Sequence, residues 1–341
     1  MKDFKLNLQL FANTVQTTLL SGLTPEMKTF YDMTLIDEAS AQLVHDQFGQ
    51  KRPIPQGGGK TIEFRKFSSL PKATTALTEG VTPDGKSLTV TSITATVAQY
   101  GDYITQSDVL ELTALDNTIL EATKLLGKQA GLTLDTVVRN VLVAGTNVSY
   151  CPKVSGSTET AVASRSAMDT TSKLTVKAIQ KAVAKLRGQN APTINGKYVA
   201  IIHPYVAYDL MRDPEWIDAH KYANPTNLYE GEIGEIAGVR FVQTTEAKVW
   251  NDNTCPTNGS SGHHPVFATL VLGEGAYGVT EVTGGGLQTI VKQKGSAGTA
   301  DPLDQRSSVG WKAIKTAELL VPNYLVRIES CSPDFDTTAS N

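Results

Sequence analysis

From Thr118 to Gly145 the apolar residues Ile119, Ala122, Leu126, Ala130, Leu134, Val137 and Val141 recur three or four positions apart. That is the spacing of one helix face. Thr118 and Glu121 open the segment at capping-box spacing, where each side chain can satisfy an orphan N–H of the first turn. Gly145 stands where a helix often takes a left-handed closing residue. Such a helix is about 40 Å long. Gly127 and Gly131 each weaken it by about 1 kcal/mol relative to alanine. Propensity alone does not hold it, so the pattern predicts a spine with a sheet or a neighbouring subunit on its apolar stripe.

Other stretches carry their own periods. Pro25 to Phe48 is partly helical, with Met27, Phe30, Tyr31, Met33, Leu35, Ala39, Leu43 and Val44 on an imperfect apolar face. Thr61 to Phe67 alternates as a strand does, and so does Leu88 to Val97. Between them lies a polar stretch with Pro71, Gly80, Pro83 and Gly85. Two strands separated by about twenty residues of turn chemistry make a long hairpin, unusual inside a compact domain. It has few large apolar residues and makes better sense as an arm whose partner lies on another chain.

After the spine, Lys173 to Gly188 reads as an amphipathic helix with Val176, Ile179, Val183 and Leu186 inward and Gly188 closing it. Lys197 to His203 is a continuous apolar run expected to be a buried strand, and Pro204 starts a helix through Met211. Strands follow at Val239 to Gln243, Ala268 to Leu272, Ala276 to Val282, Leu287 to Val291, Trp311 to Val321 and Tyr324 to Glu329. A polar excursion, Asn251 to His264, reads as a surface insertion. Helix, buried strand, helix marks an α/β lobe within an α+β chain.

Composition changes this picture little. With 341 residues there is room for two ordinary domains, or one with projecting arms. A net charge of -3 speaks against a basic nucleic-acid surface or an acidic solvating tail. The longest apolar runs fall far short of a membrane span. Lys2 and Lys5 precede Leu6, Leu8, Leu10 and Phe11, but Asn7 and Gln9 interrupt what would be a signal-peptide core, so a terminal arm is expected. Without a signal peptide, the acceptor patterns at Asn147 and Asn258 are expected to go unused. Cys151, Cys255 and Cys331 are widely separated, the spacing of neither a disulfide framework nor a zinc site.

Catalytic constellations fail on their own terms. Gly59-Lys60-Thr61 has the end of a phosphate-binding loop, but the first glycine it requires falls on Ile54, and a strand pattern follows instead of a helix. His263 and His264 are adjacent and do not converge on a metal, and His203 reads as a satisfied structural histidine. No serine lies in Gly-x-Ser-x-Gly, and the glycines near Gly273 and Gly284 join strands. The chain is expected to be no enzyme and to hold no cofactor or metal. What stands out is the charge of the first hairpin limb: Lys51, Arg52, Lys60, Arg65, Lys66 and Lys72 against Glu63 alone. A solvated face and an electrostatic contact with an adjacent subunit account for it equally well.

An arm in need of a partner, a spine and no catalytic site suit a self-assembling shell subunit. Leu6-Asn-Leu-Gln-Leu-Phe-Ala12 resembles the amino terminus of tailed-phage major capsid proteins. Gly231-Glu-Ile-Gly-Glu-Ile-Ala-Gly-Val-Arg240, Asp301-Pro-Leu-Asp-Gln-Arg-Ser-Ser-Val-Gly-Trp-Lys312 and Tyr324-Leu-Val-Arg-Ile-Glu329 resemble motifs of the same proteins. The chain is similar in particular to the family named for the phage N-four major coat protein.

That resemblance implies the Hong Kong 97-type fold. It places an N-terminal arm at 1–50, an extended loop at 51–100 and a peripheral domain with the spine helix (118–145) at 101–173. An axial domain at 174–298 follows, and residues 299–341 return to the peripheral domain and the tail. It implies an icosahedral head shell of hexamers and pentamers enclosing double-stranded DNA without sequence-specific contact, in the virion after assembly in the host cytoplasm. It also implies a portal, a decoration protein in some members and, since no long scaffolding extension precedes the arm, a separate scaffolding protein. Lys60, Arg65, Lys66 and Lys72 become candidate intersubunit contacts. Lys60, Lys66, Lys72 and Lys86 have the position of a cross-linking lysine, with non-covalent locking the default. An encapsulin-like compartment of the same fold is the alternative, and a nucleotide hydrolase built on Lys60 a third.

Overall fold

The computed structural model describes residues 33–39, 43–67, 70–82, 84–113, 118–156, 158–223, 234–258, 262–296, 301–335 and 340–341. Most of the expected terminal arm, including its Leu6–Ala12 motif and the opening of the Pro25 helix, lies outside the described residues. So does the beginning of the Gly231 motif.

One strand, Arg306–Leu319, organises a five-stranded sheet. Its residues alternate, and Ser307, Val309, Trp311, Ala313, Lys315 and Ala317 are all buried on one face. Along one edge it pairs antiparallel with Ala98–Ser107, from Arg306 opposite Ser107 to Lys315 opposite Ala98. The other edge is shared by two shorter strands, Gln288–Lys292 and then Tyr277–Glu281. Gln50–Lys51 adds to the latter in parallel.

A seven-stranded sheet runs Val148–Tyr150, Leu325–Cys331, Val266–Leu272, Tyr198–Ile202, Val239–Gln243, Glu235–Ile236, with Val249–Trp250 also paired to Val266–Leu272. Every residue of Tyr198–Ile202 and Val266–Leu272 is buried. Their apolar runs are continuous because both faces are covered. Ala200, Ile202 and Val271 pack with Ile179, Val183 and Leu186 of the helix Val176–Gly188, whereas Ile201, Leu270 and Leu272 pack with the spine.

The spine helix, Thr118–Val143, therefore serves two sheets. Leu126, Ala130 and Leu134 lie on Val309, Trp311 and Ala313 of the long strand, together with Leu35 and Ala39 of the helical residues 33–39. Val138 and Leu142 lie on the seven-stranded sheet. The expected stripe is right as far as Leu134, but Val137 and Val141 are only half-buried, and the buried line passes to Val138 and Leu142. The helix meets a different sheet there, and that sheet selects the neighbouring line of side chains.

Several end signals resolve differently from expectation. The Thr118 hydroxyl donates to Gln106 Oε1 (3.0 Å) and Glu121 accepts from Lys124 Nζ (2.9 Å), so the pair serves tertiary and surface contacts instead of a reciprocal cap. Gly145 lies beyond the helix and is not left-handed; a Cβ there would stand 3.2 Å from both Leu142 O and Leu325 Cδ2. Crowding is what asks for glycine. Thr175 caps the helix Val176–Gly188 by accepting from Ala178 N, and after Gly188 it is Asn190 that takes a positive φ of 53°. The Pro25–Phe48 helix does not run through to its expected end: residues 43–44 are irregular and 45–48 form a turn. Asp135 of the spine draws the Val44 and His45 amides away from helical bonding.

The Pro204–Met211 helix and the Thr61–Phe67 and Val239–Gln243 strands fall as expected, and the other expected strands shift by one or two residues except the long one, which starts five residues earlier than Trp311. Ala98–Ser107, the helix Pro214–Ala223 and the hairpin Thr257–Asn258/Gly262–His263 inside the polar excursion were not anticipated. Within the Gly231 motif, Glu235–Ile236 turns back onto Val239–Arg240 through Ala237 (φ 55°) and Gly238 (φ 78°), the twist a two-residue hairpin needs.

Candidate assembly interface

The hairpin forms as its alternation predicts. Thr61–Phe67 pairs antiparallel with Val90–Thr96, from Thr61 opposite Thr96 to Phe67 opposite Val90. Phe64 and Ala95 are buried against Leu320, with Ile62, Ile93 and Val321 around them. Beyond Phe67 and Val90 every described residue of the tip is exposed. Leu70 (54%), Leu77 (77%), Val81 (62%) and Leu88 (65%) stand in the open, as does Phe67 (62%). Scattered apolar residues on a surface are normal, but this many on one exposed segment make it the candidate interaction site.

The chain entering the hairpin is fastened by buried polar groups. Asp135 of the spine accepts from Val44 N (2.9 Å) and His45 N (2.7 Å), and its second oxygen lies 2.6 Å from His45 Nδ1. Tyr277 donates its hydroxyl to His45 O. Lys315 Nζ reaches Asp46 at 3.0 Å. Gln50–Lys51 then joins the sheet, Ile54 bridges Val282, and Gly57 (φ 83°) and Gly59 (φ 87°) turn the chain into Thr61–Phe67. The Gly59-Lys60-Thr61 stretch is thus a turn feeding a strand.

Of the four candidate contact residues, Arg65 and Lys66 line one cavity of about 130 Å³ beside Phe64, Leu320 and Val321; Lys60 and Lys72 do not. Arg52 joins them there, its guanidinium 5.9 Å from the Phe64 ring centre. Arg65 has one weak ion pair, 3.6 Å to the exposed Glu63. Lys60 and Lys72 are exposed at either end of the first limb. Alternation could have marked Phe64 as inward, but nothing near it in sequence announces Leu320 and Val321.

Elsewhere the polar chemistry is structural. His203 Nδ1 accepts from Tyr205 N (3.2 Å) and caps the Pro204–Met211 helix, and burial lowers its pKa to about 4. Buried Glu329 accepts from Arg165 Nε (2.7 Å) and Nη2 (2.8 Å), with Arg327 Nε at 2.9 Å and Arg165 stacked 3.6 Å over Trp250. No sequence signal pointed to this group. The three cysteines are free and buried; burial raises the thiols, that of Cys331 to about 12. Among the described residues no group of three or more His, Cys, Asp or Glu could hold a metal, and no helix is long and apolar enough to cross a membrane.

A protein family described as phage capsid protein matches residues 5–297. No curated protein matches by sequence. Among solved structures, the capsid of cyanophage P-SCSP1u is similar over 94% of this chain and 93% of its own, with a TM-score of 0.63 at 14% identity. The capsid of Ralstonia phage GP4 covers 87% of this chain and 90% of its own (0.63, 12%). The capsid of cyanophage Pam1 covers 98% and 100% (0.62, 13%). At such identities the likeness is one of fold.

Proposed function

The chain belongs to the phage capsid protein family, and from that premise we propose that it builds the icosahedral head of a tailed phage around double-stranded DNA. As a major capsid protein its role is structural and its place is the virion shell. The observation that carries the assembly mechanism is the hairpin tip, whose leucines and valine stand largely exposed. A neighbouring copy would bury them and the unpaired backbone beside them, as stable interfaces do. Lys60, Arg65, Lys66 and Lys72 would contact an adjacent copy.

The fold we propose is the Hong Kong 97 type. In it the N-terminal arm would occupy 1–50, the extended loop 51–100, the peripheral domain 101–173 and the axial domain 174–298, with 299–341 returning to the peripheral domain. Strand pairing supports one refinement. Tyr277–Lys292 sits in the sheet of Arg306–Leu319, and Leu325–Cys331 in that of Tyr198–Ile202, so each goes with the body it pairs with. Hexamers and pentamers would form the shell, with a separate scaffolding protein, a portal and a decoration protein as further partners, and assembly in the host cytoplasm. A net charge of -3 suits packaged DNA that touches the wall without sequence-specific binding. The encapsulin-like alternative is not favoured: the family and the three structures are phage capsids.

Electron microscopy with sedimentation, on the protein alone and with a candidate scaffold, tests this. Closed shells or five- and six-membered rings are expected, and replacing residues 70–88 by a short glycine turn should leave soluble subunits. Wild-type protein that stays monomeric under both conditions would sink the reading.

A further inference from the structure

The cavity beside Phe64 has an apolar floor, Leu320 and Val321, and a rim of three cations, Arg52, Arg65 and Lys66. Among the described residues one carboxylate, Glu63, pairs with a cation of that rim, 3.6 Å from Arg65 with both side chains well exposed. Such a pair is worth little. The site is therefore built for an anion attached to an apolar group.

The same chain carries a segment of that description. At the hairpin tip, Glu79 lies between Leu77 and Val81, all three exposed, and Asp84 follows three residues after Val81. Among the described residues neither carboxylate meets a cation. One end of the hairpin offers cations around an apolar hollow; the other offers Glu79 flanked by Leu77 and Val81, on a tip that also carries Asp84, Lys72 and Lys86.

We propose that the Leu77–Val81 tip of one copy seats in the Arg52/Arg65/Lys66 cavity of the next, with Glu79 against the guanidinium groups and Asp84 near Lys66. Two different patches of the same chain meet, so the contact is heterologous and runs head to tail, the kind that closes rings. An arginine pair suits a carboxylate because its planar fork can bind both oxygens. This inference rests on the shell reading and names the contact within it.

The test uses full-length protein under conditions in which the wild type assembles. Arg65→Cys, carrying an affinity tag, is co-assembled with untagged Glu79→Cys and oxidised. The cysteines sit on different chains, so a mixed disulfide reports contact between copies alone, and the native thiols are buried. A mixed dimer about tenfold above that of Glu79→Cys with Lys181→Cys, exposed on the Val176–Gly188 helix, is expected for a specific rather than a random encounter. A second measurement reverses charge. Glu79→Lys with Asp84→Lys should cut particle yield by about tenfold, and adding Arg65→Glu with Lys66→Glu should restore most of it. Particles that form from the cysteine variants with no mixed dimer above the control would overturn the contact, as would charge reversal without effect on yield. Wild-type protein that forms neither rings nor particles in the same assay would count against the shell reading instead.

Discussion

Lys315 Nζ and Asp46 Oδ1 lie 3.0 Å apart with only 3% and 7% of their side chains exposed. Position 315 falls on the inward face of the long strand, between Ala313 and Ala317, where a charge stays buried only if it is paired. Its partner sits on the segment that leads to the hairpin, so the pair ties the base of the hairpin to the centre of the sheet. Glu281, 3.7 Å from Lys315 and half-exposed, adds a weaker contact.

Lys315→Ala should lower stability by about 3 kcal/mol or more, because buried Asp46 would be left, among the described residues, with the mostly exposed Lys51 (3.3 Å) as its ion-pair partner. Adding Asp46→Asn should recover part of the loss. Denaturant midpoints of the two variants decide it, and equal midpoints would refute the coupling.

Two helix glycines should respond oppositely to alanine. At Gly127 a Cβ would stand 2.9 Å from Leu35 O and 3.0 Å from Glu38 Cβ, so Gly127→Ala forces residues 33–39 off the spine and should cost about 1–3 kcal/mol. At Gly188 a Cβ meets nothing within 4 Å, and Gly188→Ala should stabilise by about 0.5–1 kcal/mol. Thermal midpoints measure both.

His203 makes stability depend on pH. Its pKa of about 4 in the fold lies below the ordinary 6.5, so the unfolded chain binds the extra proton first as pH falls. The contribution is complete above pH 6.5 and is lost on the way down to 4, amounting to about 2 kcal/mol between pH 7 and 5. His203→Asn keeps a side-chain acceptor for Tyr205 N and removes the titration. Its stability, followed by urea unfolding, should be flatter across that range than the wild type's.

Glu329→Gln should destabilise by about 3 kcal/mol, since Arg165 and Arg327 both lose the carboxylate they share. Arg165 is also stacked on Trp250, so the tryptophan's fluorescence should shift in the folded variant. An unchanged midpoint would show that the guanidinium groups find water instead.

Leu77→Ser with Val81→Ser should leave the isolated subunit's melting temperature unchanged, because both side chains are mostly exposed. The concentration needed for assembly should rise by about tenfold or more as that apolar area stays wet. A lower melting temperature would show that the tip packs at home.

Much of the fold was legible. The runs Tyr198–Ile202 and Val266–Leu272, the alternation of Thr61–Phe67 and the helix face through Leu134 each rest on spacings within a few residues. So does the hairpin, whose unsupported tip follows from turn formers over a stretch with little to bury. Ala98–Ser107 escaped because Gln99, Gly101, Asp102 and Gln106 carry no apolar alternation; its place comes from pairing with a strand two hundred residues later in the chain. Of the candidate contacts, the basic limb was evident from charge alone, whereas the cavity that gathers Arg52, Arg65 and Lys66 depends on Leu320 and Val321 arriving from the far end of the chain.

What the amino-acid order determined by itself is local: where most helices and strands form, and that the hairpin tip has little of its own to bury. The tertiary structure decided which line of the spine is buried, how two strands share one edge of Arg306–Leu319, and which charges enter the core. His45 and Asp135 meet across 90 residues, and Arg165 and Glu329 across 164. Periodicity is a property of neighbours along the chain, but a buried charge is tolerated only by a partner brought in through space, and no window of sequence contains both.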